Sequence, residues 1–145
     1  MQFQNSKNNL KDQEHFKTTI MKKFETRDEA FASQNYDPNA VVITGVPEHH
    51  VEALKAVANL FVGYDAAQPD FDPDHTNYDQ RKYEAIFDFD ASPGGRFAVV
   101  DDDYWRTSSS VGARLVAESS QTCRSLAELF GEDWQKFMTY RRKQE

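Results

Sequence analysis

Residues 83–102 constrain the fold more than any other stretch. Tyr83, Ala85, Phe87 and Phe89 alternate with Glu84, Ile86, Asp88 and Asp90. Ser92-Pro93-Gly94-Gly95 then interrupts, and Arg96 to Asp102 forms a second run. Alternation of period two sends successive side chains to opposite faces, so each run reads as a half-buried strand and the pair as an antiparallel hairpin. Pairing Asp90 with Arg96 sets the register. Phe89 then meets Phe97 and Phe87 meets Val99 on one face, while Ile86 meets Val100 and Asp88 meets Ala98 on the other. A slip of one residue would mix the faces, so the pattern specifies the pairing too.

The rest of the chain reads as helices and one further strand. Residues 1–10 are polar and read as a frayed terminus. Phe16, Ile20 and Phe24 are spaced as one helical face. Thr26 and Glu29 have capping-box spacing ahead of a short helix carrying Phe31. The β-branched run Ala40-Val41-Val42-Ile43-Thr44 predicts a buried strand over 40–46. Pro47 suits the first position of a helix whose face is Val51, Leu54, Ala58 and Phe61, with Gly63 as its cap. Residues 64–82 have no apolar period, contain Pro69 and Pro73, and read as an acidic loop. Ser108, Ser109 and Ser110 offer caps for a helix from Val111 to Phe130 that ends at Gly131. A last helix opens with Glu132 and Asp133, closes with Arg141, Arg142 and Lys143, and packs through Trp134, Phe137 and Met138. The expected fold is a single α+β domain over residues 1–145, with helices on one face of a small, largely antiparallel sheet. The order strand–helix–hairpin–helix, with Gly95-Arg96-Phe97-Ala98-Val99 on the later strand, resembles RNA-recognition domains, which implies a ferredoxin-like topology.

Charge is the feature that speaks to function. The net charge of -7 is unevenly spread: residues 37–104 hold fourteen acids against four bases, whereas both flanks are slightly basic. An acidic block disfavours direct contact with nucleic acid, where neutralisation of phosphates by Lys and Arg supplies most of the affinity. It equally disfavours an anionic membrane surface, and no apolar run approaches the roughly 20 residues of a span. It suits a basic protein surface or a divalent cation. The start lacks the apolar core of a secretion signal and Cys123 is the only cysteine, so the expected setting is the cytoplasm, without disulfides.

Three groups of residues invite a chemical reading. Asp70, Asp72 and Asp74 open a loop in the one-three-five pattern of calcium loops, but His75 stands at the glycine position and Arg81 at the bidentate glutamate. Asp101, Asp102 and Asp103 beside Glu84 and Asp88 suggest a carboxylate cluster on the sheet. Ile86-Phe87-Asp88-Phe89-Asp90 resembles the strand-end motif of haloacid dehalogenase-like phosphatases, which implies a nucleophilic Asp88, an acid/base Asp90 and magnesium. Those enzymes need a parallel sheet, whereas this strand turns straight into a hairpin. His49 and His50 are adjacent, about 100° apart on a helix, and cannot chelate together. Cys123 lies on a stripe of small residues and reads as packing.

The expectation is therefore a non-enzymatic acidic protein with no cofactor and no structural metal. It binds a basic surface of nucleic-acid-handling machinery by imitating nucleic-acid charge, as small acidic inhibitors, many of them phage-encoded, do. The expected contact residues are Asp70, Asp72, Asp74, Asp79, Glu84, Asp88, Asp90, Asp101, Asp102 and Asp103. An adaptor domain binding through the aromatic face of the last helix, Trp134 and Phe137, is the alternative. A carboxylate-metal enzyme comes third.

Overall fold

The computed structural model describes residues 24–89 and 97–139. The expected first helix (Phe16, Ile20), the Ser92–Gly95 turn with Asp90 and Arg96, and the basic end Arg141–Lys143 lie outside these. Helix α1 spans Arg27–Ser33, α2 Glu48–Ala67, strand β1 Lys82–Phe89, β2 Phe97–Trp105, α3 Ser120–Leu129 and α4 Gly131–Thr139. The architecture is a small α+β fold.

The hairpin forms as the alternation requires. Phe89 pairs with Phe97, Asp88 with Ala98 and Phe87 with Val99. Between Ile86 and Phe87 the register shifts, so Ile86 meets Asp101 rather than Val100. Val100 is thus an extra residue in β2, a β-bulge, and such insertions bend the strand and increase its twist. Beyond it, Ala85, Glu84, Tyr83 and Lys82 pair with Asp102, Asp103, Tyr104 and Trp105. Tyr83 also exchanges both backbone hydrogen bonds with Ala117, each 2.9 Å.

Helices cover one face of this ribbon. Phe87 stacks on Phe97 at 4.9 Å between ring centres and meets Trp134 of α4, also at 4.9 Å. Trp134 meets Tyr64 of α2 at 6.2 Å, and Phe130 meets Phe31 of α1 at 5.8 Å. The core is therefore a chain of aromatic rings linking hairpin and helices, and each buried ring withdraws about 150–250 Å² from water.

Local signals explain the helix ends. The Thr26 hydroxyl accepts from the Glu29 N–H at 3.2 Å, and Glu29 reaches back to the Glu25 N–H at 2.8 Å. Ser119 caps α3 by accepting from the Thr122 N–H at 3.1 Å. The start expected at Val111 is not met, because Gly112 adopts φ 83°, a conformation that breaks a right-handed helix, and residues 113–115 form a 3-10 turn instead.

Other expectations are corrected too. No strand forms over 40–46: Asp37 caps a 3-10 turn at Pro38–Ala40, and Val42 beyond it is 79% exposed. A β-branched run becomes a strand only where another strand offers a ladder. Without it, the described sheet has two strands and does not complete a ferredoxin-like order. Pro47 is the cap of α2 rather than its first helical residue. Residues 64–67, expected in the loop, are the last turn of α2. Gly63, expected as a cap, lies inside that helix because the Phe130 ring packs on it. A Cβ there would fall 2.3 Å from Phe130 Cζ. The expected apolar face of α2 is also displaced. Leu54 and Phe61 are exposed, while Ala53, Ala56, Asn59, Leu60, Gly63 and Tyr64 are buried. A face of mostly small residues admits the bulky Phe130 and Trp134 side chains of the neighbouring segment.

Candidate functional site

The acidic loop is built from short-range hydrogen bonds over a buried cation. The Asp74 carboxylate accepts from the Thr76 N–H at 2.8 Å and the Thr76 hydroxyl at 2.6 Å. These bonds, with a smaller contribution from the Lys82 charge, hold its pKa below the usual aspartate value. Asn77 repeats the turn by accepting from the Asp79 N–H at 2.9 Å. Gln80 bridges the loop, accepting from the Asp74 N–H and donating to the Asp72 carbonyl. Beneath it, the fully buried Lys82 ammonium donates to the carbonyls of Asn77, Gln80 and Arg106 at 3.0, 2.9 and 2.6 Å. All three ammonium donors are thereby satisfied. Asp70, Asp72, Asp74 and Asp79 stand exposed above, and none makes an ion pair with another described residue.

The hairpin carboxylates divide into free and committed ones. Asp88 and Asp103 are exposed, each accepting from the next backbone N–H, of Phe89 at 2.9 Å and Tyr104 at 2.7 Å. Glu84 is not available as a contact residue. It is 4% exposed and accepts from the hydroxyls of Ser109 and Ser110 and from the Ser110 N–H. Asp102 is likewise withdrawn. Its side chain is 7% exposed and accepts from Ser120 at 2.8 Å and from Arg124 Nε. Arg124 also holds Asp101 at 2.7 Å, and Asp101 accepts from the Asp102 N–H at 2.9 Å. Asp90 lies outside the described residues. The expected sheet cluster is therefore dispersed: Glu84 turns to the serines, Asp102 to α3, and Asp88 and Asp103 to solvent. Among the described residues, no group of three His, Cys, Asp or Glu side chains is placed to hold a metal ion.

Two buried polar centres escaped the sequence reading. One is Lys82. The other is Asp133, fully buried in α4, which accepts from Asn59 at 2.7 Å and Arg27 at 2.9 Å. Tyr36 in turn donates to Asn59 at 2.6 Å. Burial raises the Asp133 pKa despite the bond from Asn59 and the Arg27 charge. The readable signal was Asn59, a polar residue between the apolar positions Ala56, Leu60 and Gly63. Cys123 is buried, and burial pushes its thiol up to about 12, consistent with packing rather than nucleophilic chemistry. Trp134 is 1% exposed, so it presents no binding face. Phe137 instead lines an apolar groove of about 170 Å³ with Val46, Pro47, His50, Leu54 and Val57.

A second concavity, about 220 Å³, lies where the acidic loop meets the end of α2. Tyr64, Phe71, Pro73 and Val116 wall it, Asp72 stands at it, and Asp65 and Arg114 form an exposed ion pair beside them. No protein-family model matches the chain, and neither does a curated protein or a solved structure. No helix among the described residues is long and apolar enough to cross a membrane.

Proposed function

We propose that this chain is a non-enzymatic binding protein whose exposed carboxylates engage a basic surface of a protein that itself binds nucleic acid. The observation that carries the reading is the fate of the acids. Asp70, Asp72, Asp74, Asp79, Asp88 and Asp103 face solvent without an ion pair to another described residue. Repulsion among uncompensated like charges weakens the compact state, and a basic partner would relieve it. Loop hydrogen bonds tie down three of the six, Asp72, Asp74 and Asp79, which lowers the entropy lost on binding. Glu84, Asp101 and Asp102 are committed internally and leave the contact set.

The test is retention of DNA-binding proteins from a lysate by the immobilised chain at low salt, with free double-stranded DNA as competitor. A charge mimic retains basic proteins that DNA displaces, and its complexes weaken steeply as salt rises. Asn at Asp70, Asp72, Asp74 and Asp79 together should abolish retention while leaving the thermal melt in place. A quadruple variant that retains the same proteins as the wild type refutes the reading.

A further inference from the structure

The concavity between the acidic loop and α2 has the chemistry of a receptor for one basic side chain. Its volume of about 220 Å³ is below the roughly 300–1,000 Å³ of small-molecule sites. Its lining is mixed: apolar from Phe71, Pro73, Val116 and the buried Tyr64, and polar from Asp65, Gln68, Asp72 and Arg114. Asp72 lines it, and its carboxylate makes no ion pair with another described residue. The Asp65–Arg114 pair shows a carboxylate at this site already matched to a guanidinium, supplied by the chain itself.

Resting on the proposed charge-led function, we infer that this pocket is its anchor point and takes a single lysine or arginine side chain of the partner. The apolar stem of such a residue lies along Phe71, Pro73 and Val116, as long cationic side chains do on apolar surface. Its head pairs with Asp72. The half-buried Phe71 ring adds the attraction of a cation for an aromatic face. Long-range charge brings the partner in, and this pocket fixes its register, because interface energy concentrates where an anchor fills a pocket sheltered from water.

The test uses the full chain with acetylated hexa-arginine and hexa-lysine peptides, followed by amide chemical shifts at low salt. Saturable shifts should centre on Phe71, Asp72, Arg114 and Val116, and the tighter peptide names the preferred head group. Asp72→Asn should weaken binding about tenfold, whereas Asp88→Asn, which removes the same charge elsewhere, should weaken it no more than about twofold. Arg114→Ala should tighten binding severalfold by freeing Asp65, and Lys55→Ala, equal in charge, should not. If Asp72→Asn and Asp88→Asn weaken binding alike, the pocket is not an anchor while the charge-led reading stands. If neither peptide binds, both ideas fail.

Discussion

Replacing Asp133 by alanine removes the carboxylate on which three helices converge. Asp133 of α4 is bound by Arg27 of α1 and by Asn59 of α2, and Asn59 also holds Tyr36. Removing one partner of a buried ion pair costs about 3–5 kcal/mol. Arg27 lowers that figure, because its side chain is 25% exposed and keeps Glu132 at 3.3 Å. Asn59 raises it, because a buried amide donor left unpaired costs about 1–3 kcal/mol. The balance is a loss of about 3 kcal/mol, to be read from the midpoint of urea unfolding at an unchanged slope. A loss below about 1 kcal/mol would refute the claim that this carboxylate is both buried and paired. The pH dependence carries a second check. Burial raises the folded-state pKa above the unfolded one, so Asp133 contributes most stability below its unfolded pKa and loses it as pH rises through the folded value. The stability of the wild type relative to Asp133→Asn should therefore fall as pH rises from about 4. A difference that grows with pH would mean that the Arg27 pairing outweighs the burial penalty.

Phe87→Ala should cost about 2–3 kcal/mol, because the half-buried ring touches both Phe97 and Trp134, whereas Asp88→Ala on the opposite face should cost under about 0.5 kcal/mol. Equal losses in denaturant melts would contradict the register. Lys82→Met should keep the packing volume but strand three carbonyls, costing about 2–3 kcal/mol and opening residues 77–80 to limited proteolysis. An unchanged cleavage pattern would show that the ammonium does not hold the loop.

The hairpin was legible because alternation is a local code with a single period, and the pairs from Phe87 to Phe89 follow it. The bulge was not legible, since nothing in Val99-Val100-Asp101 marks which residue is extra. The run Val41-Val42-Ile43 misled because β-propensity expresses packing on a pleated surface, and here no neighbouring strand provides one. In α2 helical spacing alone points to Val51, Leu54, Ala58 and Phe61 as the core face. The buried side is instead where small residues meet Phe130 and Trp134, partners more than sixty positions away. The same distance hid the site. Composition placed Asp70, Asp72, Asp74 and Asp79 in an exposed loop, and they are exposed. Nothing local showed that Ser110 would claim Glu84, or that Arg124 would claim Asp102, across 26 and 22 positions.

The backbone bonds of Tyr83 have a consequence for colloidal behaviour. Because both go to Ala117, the facing Tyr104 must turn its own N–H away from β1, and Asp102, two residues back, does the same. Those outward donors are what a stray strand would recruit to extend the ribbon into an aggregate. Here each is already occupied, Tyr104's by Asp103 and Asp102's by Asp101. The acid run of β2 thus closes the open rim of a two-stranded sheet with its own carboxylates. Charge placed along a strand edge in this way makes that edge a poor template for another strand.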